Sequence, residues 1–317
     1  MKTPDPTGDP MIARSHNPTR QAAIGWAFLV VLVWSTSWVL IRIGLKEIPA
    51  LTFAGLRYTI AAICLAPFLL TKRSRQAIRQ LNRNQWGQLL ALGVVLYAVA
   101  QGSQYLSLSF LPLATTSLII NLTALATAIV GLVILSESPT RLQWIGITLN
   151  LGGIAMFFYP PAFSDRDGLG IAIAMVCMLA NTAGTIMGRS LNRMGSIPPL
   201  ILTGISMGVG AVLMLGVGLS IEGIPTISPL NWAAIVWMAV VNTAMAFTLW
   251  NYTQRTLQAT ESSIIANMMT VLVAILAWIF VREGLSTLDI FGIVAATIGT
   301  MLVQIRRFRQ INLQTGT

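Results

Sequence analysis

Slid along itself by 146 positions, the chain aligns residues 86–157 with residues 232–303 without a gap. Trp86 then meets Trp232, Ser117 meets Ser263, Asn121 meets Asn267, Glu137 meets Glu283, Gly146 meets Gly292 and Gly153 meets Gly299. Shared leucines would carry little weight in so apolar a chain, but matched Trp, Asn and Glu do. Any fold of this sequence has to accommodate one segment twice. The duplicated segment is almost entirely hydrophobic, so the expectation is a membrane-embedded duplicate, an architecture that points towards transport.

Composition supports lipid as the solvent. Charged residues are 9% of the 317 and apolar ones 55%, whereas a soluble domain carries about 25% charge. A net charge of +10 would suit nucleic acid, but most basic residues sit in short segments between apolar runs. That is the pattern of loops held on the cytoplasmic side of a membrane, so no nucleic-acid partner is expected. Cys64 and Cys177 fall inside apolar runs, and His16 lies in a polar tail. Neither metal nor cofactor is expected from that set. Residues 1–21, rich in Pro, read as a disordered cytoplasmic tail, and residues 306–317 as a cytoplasmic tail.

A bilayer core of about 30 Å takes roughly 20 apolar residues per helix. Runs of that size occur near 22–44, 52–71, 87–106, 112–135, 140–159, 169–188, 198–219, 231–251, 259–281 and 287–305. The fold class is therefore an all-α integral membrane protein of ten transmembrane helices, five in residues 22–159 and five in 169–305. With the N-terminus inside, the cluster Lys72/Arg73/Arg75/Arg79/Arg83 and residues Arg141, Arg189, Arg193, Arg255 and Arg306/Arg307/Arg309 are all cytoplasmic. Only Arg42, Lys46, Arg166 and Arg282 fall outside, and Arg57 lies within a span. This bias puts both termini in the cytoplasm of a multi-pass cell-membrane protein. An odd number of spans per repeat inserts the second copy upside down, so Glu137 is expected at the inner face and Glu283 at the outer. Two inverted halves are the usual ground plan for alternating access.

Several stretches then become recognisable. The first span reads Trp34-Ser35-Thr36-Ser37-Trp38, followed by Pro49 and Arg57. Span 4 ends in Leu135-Ser136-Glu137, then Leu142, Gln143, Gly146 and Gly153. Span 9 ends in Val281-Arg282-Glu283, then Leu288, Gly292 and Gly299. Over residues 22–305 the chain resembles the EamA-type transporters of the drug/metabolite transporter superfamily. The resemblance implies a ten-helix carrier with a central cavity between its halves, often an exporter of amino acids or other small metabolites. It also implies that spans 5 and 10 are peripheral while spans 1, 3, 4, 6, 8 and 9 line the path. Where many relatives have Trp-Gly-Ser, this chain has Trp-Ser-Thr-Ser-Trp.

A polar side chain in hydrocarbon needs a partner or a water-filled path, so each one is informative. Asn121 and Asn267 both arrive near mid-depth and are expected to face one another across the centre, as substrate contacts or as helix–helix hydrogen bonds. Asn181 and Asn242 also lie near mid-depth, with Gln101 and Tyr105 towards the outer end of span 3. Asn150 reads as structural. Trp34 and Trp38 share a face of span 1 at i and i+4, and with Ser37 they suit the wall of a small-molecule pocket. Arg57 is expected to snorkel to the interface; an anion or carboxylate contact near the outer gate is the alternative. Glu137 and Glu283 are expected to pair with backbone or basic groups at the loops. No nucleophile–base pair, carboxylate pair or nucleotide loop appears, so an enzyme is not expected; the competing classes are a channel or scaffold and, behind them, an intramembrane enzyme. The expected partners are a small-molecule substrate and the lipid bilayer, with monomer and homodimer both open.

Overall fold

Each of the ten apolar runs forms a helix in a computed structural model, which describes residues 19–134, 140–159, 164–194, 197–253, 256–257 and 259–305. Glu137, Arg255 and the segments 1–18 and 306–317 lie outside the described residues. Among the described residues every regular element is helical. The helices are α1 (Arg20–Gly44), α2 (Ala50–Leu69), α3 (Lys72–Arg79), α4 (Arg83–Leu92), α5 (Gly102–Phe110), α6 (Leu113–Ile134) and α7 (Arg141–Phe157). They continue with α8 (Asp165–Met194), α9 (Pro199–Glu222), α10 (Pro229–Ala239), α11 (Ala246–Thr253), α12 (Ala259–Leu276) and α13 (Thr287–Ile305).

Three of the runs are not pure α-helix. A π-helical segment, Gly93–Gln101, joins α4 to α5; a second, Val240–Met245, joins α10 to α11; a third, Ala277–Val281, ends α12. Among the described residues, eight helices are long and apolar enough to cross a membrane. The helix α7, at 17 residues, and the α10–α11 pair are not among them. The basic stretch 72–79 is itself a helix, α3, rather than a plain loop. Thr71 accepts from the backbone N–H of Ser74, and the apolar Ala77 and Ile78 rest on Leu89 and its neighbours while the charges stay in solvent.

Local chemistry explains where the helices start. Asn82 with Gln85, and Thr140 with Gln143, form reciprocal capping boxes that satisfy two orphan N–H groups each. Pro49 and Pro198 stand immediately before α2 and α9, and Pro229 occupies the first turn of α10, where a missing N–H costs nothing.

Packing is dominated by two long antiparallel pairings, α2 with α9 and α7 with α13. The second depends on glycine. A Cβ built on Gly146 would lie 2.7 Å from the Gly299 carbonyl oxygen, and one on Gly153 would lie 2.6 Å from that of Gly292. The reverse approaches, Gly299 to Gly146 and Gly292 to Gly153, are both 2.6 Å. The crossing is thus reciprocal: each repeat-matched glycine touches the counterpart of the other. Gly184 and Gly204 also allow close approach, to Leu96 and Leu69, whereas nothing lies within 4 Å of a Cβ at Gly208.

The periphery is apolar. Trp278 is 62% exposed, Phe280 64%, Val212 70% and Ile221 75%. So much exposed hydrocarbon requires a lipid neighbour. Trp278 belongs to this lipid-facing surface, together with Trp26, Trp86 and Trp232.

Candidate functional site

Among the described residues, three polar clusters between helices interrupt the apolar interior. The first joins α1 to the π segment between α10 and α11. Asn242, 1% exposed, donates from Nδ2 to the Val33 carbonyl (2.6 Å) and to Ser37 Oγ (2.6 Å), with Thr36 Oγ1 at 3.3 Å. In return Trp34 Nε1 donates to the Asn242 main-chain oxygen at 2.9 Å. The Trp34 ring tilts at 48° against Trp250, with centroids 5.3 Å apart. Trp34 is half-buried, while Trp38, one turn on, is sunk into the main apolar cluster beside Tyr58 and Tyr105. Asn242 Oδ1 is buried without a partner among the described residues, an acceptor left open there in the middle of the bundle.

The second cluster lies between α2 and the α4–α5 helix. Arg57 does not snorkel. Only 7% of the residue is exposed, and its Nη1 donates to the Tyr105 hydroxyl at 3.1 Å. Its guanidinium carbon stands 5.5 Å from the centre of the Tyr58 ring. Tyr58 in turn donates to Gln101 Oε1 at 2.6 Å and packs edge-on against Tyr97, while Tyr105 meets Phe53 edge-on. The reason is geometric: Arg57 faces α5, where the Tyr105 hydroxyl accepts from it, and the Tyr58 ring lies within reach of the guanidinium. Holding a cation at membrane depth costs about 2.5–3.5 kcal/mol on insertion scales.

The third cluster ties α6, α7, α12 and α13 together. Asn121 donates to Thr270 Oγ1 (2.5 Å) and its Oδ1 accepts from Thr300 Oγ1 (3.0 Å). Asn150 donates to Thr300 Oγ1 and to the Ala296 carbonyl, both at 2.8 Å. Asn267 donates to Gln304 Oε1 at 2.9 Å. Asn121 therefore reaches α12 one turn from Asn267 rather than Asn267 itself. Such interhelical bonds are worth about 0.6 kcal/mol each on average. Asn181 stays apart, its Nδ2 bonded to the Cys177 carbonyl one turn back on α8.

The acidic residues gather at helix ends. Arg282 adopts a left-handed conformation (φ 58°), and Glu283 N–H turns back to the Ala277 carbonyl. Left-handed backbone is uncommon for a side chain of this size. Here it swings the Glu283 carboxylate onto the N-terminus of α6, where it accepts from Leu113 N–H (2.8 Å) and Ala114 N–H (3.3 Å). Glu222 caps α2 in the same way through Leu51 N–H, Thr52 N–H and Thr52 Oγ1. Glu47 accepts from Ser228 and Asn231 at the start of α10. The backbone and hydroxyl hydrogen bonds from Ser228 hold the Glu47 carboxyl below the usual carboxylate range. A cavity of about 380 Å³ opens beside Glu283, lined by Pro112, Thr115, Phe158, Asp167 and Asp289 among others. Elsewhere Arg20 and Glu261 pair at the N-termini of α1 and α12.

Sequence reasoning missed Tyr58, Tyr97, Thr270, Thr300, Gln304, Glu47 and Glu222. Tyr97, Gln101 and Tyr105 recur every four residues, which is a readable polar stripe. The threonines offered no such signal, because Thr is common in spans.

Comparison with known proteins agrees with the geometry. The sequence profile of the EamA-like transporter family matches twice, over residues 21–159 and 168–305. An uncharacterised transporter of Archaeoglobus fulgidus is 22% identical over 260 residues, covering 80% of this chain and 88% of the relative. The inner membrane transporter YedA of Escherichia coli K12 is 24% identical over 294 residues, 88% and 91% of the two chains. A "probable amino-acid metabolite efflux pump" of Salmonella typhimurium is 20% identical over 234 residues, 71% and 75% of the two. A crystal structure at 17% identity superposes with a TM-score of 0.65, covering 90% of this chain and 99% of that one, which establishes the shared fold. The chain is a multi-span membrane protein that belongs to the EamA-like transporter family.

Proposed function

We propose that the chain is a ten-span carrier whose two inverted five-helix halves move a small metabolite by alternating access, with both termini in the cytoplasm. The observation that carries this reading is the reciprocal crossing of α7 and α13. Gly146 and Gly153 meet Gly299 and Gly292, their counterparts in swapped order, which is what a two-fold axis in the membrane plane produces. Two π segments add to it. Moved by 146 positions, Gly93–Gln101 falls on residues 239–247, and the second segment occupies Val240–Met245. Both halves are irregular at one matched place, and π segments concentrate at functional sites and kinks. The helix α7 and the α10–α11 pair count as spans in this reading because their counterparts α13 and α4–α5 do.

The direction is export, and the cargo is an amino acid or related compound, in keeping with the name of the Salmonella relative. Trp34, Ser37, Asn242, Gln101 and Tyr105 contact the substrate. Asn121, Asn181, Asn267 and Trp38 shape the helix contacts around the path. The Glu283 cap on α6 and the Glu222 cap on α2 hold closed their end of the bundle. Substrate-dependent counterflow in proteoliposomes tests the carrier. Trans-stimulation by an unlabelled amino acid is expected, and uptake that ignores the trans side would replace the carrier with a channel.

A further inference from the structure

We propose that Arg57 is the anion-binding group of the transport path, and that the substrate presents a single carboxylate to it. The proposal rests on the carrier reading and names the substrate class. Arg57 is 93% buried by its 7% exposure, yet its guanidinium makes one hydrogen bond among the described residues, from Nη1 to Tyr105. Its Nε is buried with no acceptor. A guanidinium carries five N–H donors and no acceptor, so most of its capacity is unspent. Tyr105 uses its oxygen to accept from Arg57, which leaves its own hydroxyl hydrogen to donate. Tyr58 is different: its hydroxyl hydrogen is engaged by Gln101. The site therefore presents a cationic fork and a phenolic donor side by side, and among the described residues nothing accepts from Arg57 Nε or from the Tyr105 hydroxyl.

Charge decides what fills it. The one ion pair among the described residues, Arg20 with Glu261, does not involve Arg57. A buried cation without a counter-ion is retained where function needs it, and the missing partner is an acceptor of charge −1. A carboxylate meets both demands, accepting from the fork and from the phenol. A phosphate dianion would leave one negative charge uncompensated. The surrounding rings of Phe53, Tyr58, Tyr97 and Tyr105 suit a partly apolar body behind the carboxylate.

The purified full-length protein in nanodiscs is heated with L-leucine, L-phenylalanine or phenylacetate, with their carboxamides, and with inorganic phosphate. At least one carboxylate is expected to raise the melting temperature while its carboxamide does not. Arg57→Gln should need roughly 10- to 100-fold more carboxylate for the same shift, Arg57→Lys should need less, and Tyr105→Phe about 3- to 10-fold more. Equal action of a carboxamide, an unaltered response of Arg57→Gln, phosphate as the sole stabiliser, or silence of the whole set in the wild type would each overturn the proposal. Should Arg57→Gln not fold, Tyr105→Phe decides, and unchanged affinity there overturns it. Counterflow separates this from the carrier reading: carboxylate binding without trans-stimulation removes the carrier and leaves Arg57. Trans-stimulated carboxylate flux untouched by Arg57→Gln does the reverse.

Discussion

The α4–α5 helix and the α10–α11 helix carry a π segment at matched positions, yet they hold different chemistry. Val94/Val240, Val95/Val241, Ala98/Ala244 and Ala100/Ala246 are identical across the repeat, so the small apolar frame of the irregular segment is common to both. The polar residues are not. Leu96 stands opposite Asn242, Gln101 opposite Phe247 and Tyr105 opposite Asn251. One helix serves the Arg57–tyrosine cluster next to α2; the other serves Trp34 and Ser37 on α1. Arg57, the eighth residue after Pro49, corresponds to Ser206, the eighth after Pro198, whose hydroxyl bonds the Leu89 carbonyl instead. Two stretches matched in sequence can thus share a backbone irregularity while their polar side chains differ. Backbone irregularity is set by small residues and helix packing, whereas ligand contacts need only a few side chains.

The sharpest way to break this comparison is to attack the frame it shares. Gly299→Leu puts a side chain 2.4 Å from the Asn150 backbone nitrogen at its Cβ alone. Loss of monodisperse protein is expected, with Gly299→Ala costing about 1–3 kcal/mol in thermal unfolding. Gly152→Ala, with open space around its Cβ, should change stability by less than about 0.5 kcal/mol. Similar behaviour of the two alanine variants would remove the reciprocal crossing as the element that joins the halves.

Next come the specialised side chains. Asn242→Ala strips α1 of the donor to Val33 and Ser37, and counterflow should fall roughly 10-fold or more while the protein still folds. Asn121→Ala should lower counterflow less, with a stability loss of about 1 kcal/mol, since its bonds join helices. An inverted order would place the substrate in the α6–α12 cluster instead. Glu283→Gln weakens the cap on α6 by about 0.5–2 kcal/mol, read from thermal unfolding.

The smallest effect is that of pH on Glu47. Its folded carboxyl is more acidic than the unfolded one, so its stabilisation is full above the ordinary carboxylate pKa. It is lost as pH falls through the lower, folded value. Glu47→Gln should flatten the acid limb of a melting-temperature profile. An unaltered limb would show that Ser228 does not hold the charged form.

Helix existence and limits were legible because they depend on local quantities: run length, prolines at starts, capping residues. The reading near 259–281 and 287–305 coincides with α12 plus its π turn and with α13. Matched glycines at 146, 153, 292 and 299 were equally visible, though not that they interlock in swapped order. The sites were only partly legible. Asn242, Ser37 and Trp34 drew attention as polar or indole groups at depth, and the structure brings them together. Of the two readings of Arg57, the structure removes snorkelling, because the guanidinium is buried against Tyr58 and Tyr105.

By itself, the order of residues determined that this chain is a duplicated, lipid-solvated stack of helices, since hydropathy and repetition are properties of single segments. Which polar groups find one another was decided only in three dimensions. Asn150 meeting Thr300, Glu283 reaching Leu113 and Arg57 reaching Tyr105 all depend on how helices far apart in sequence are rotated and paired. Side-chain hydrogen bonds act over about 3 Å, a range that only packing can supply.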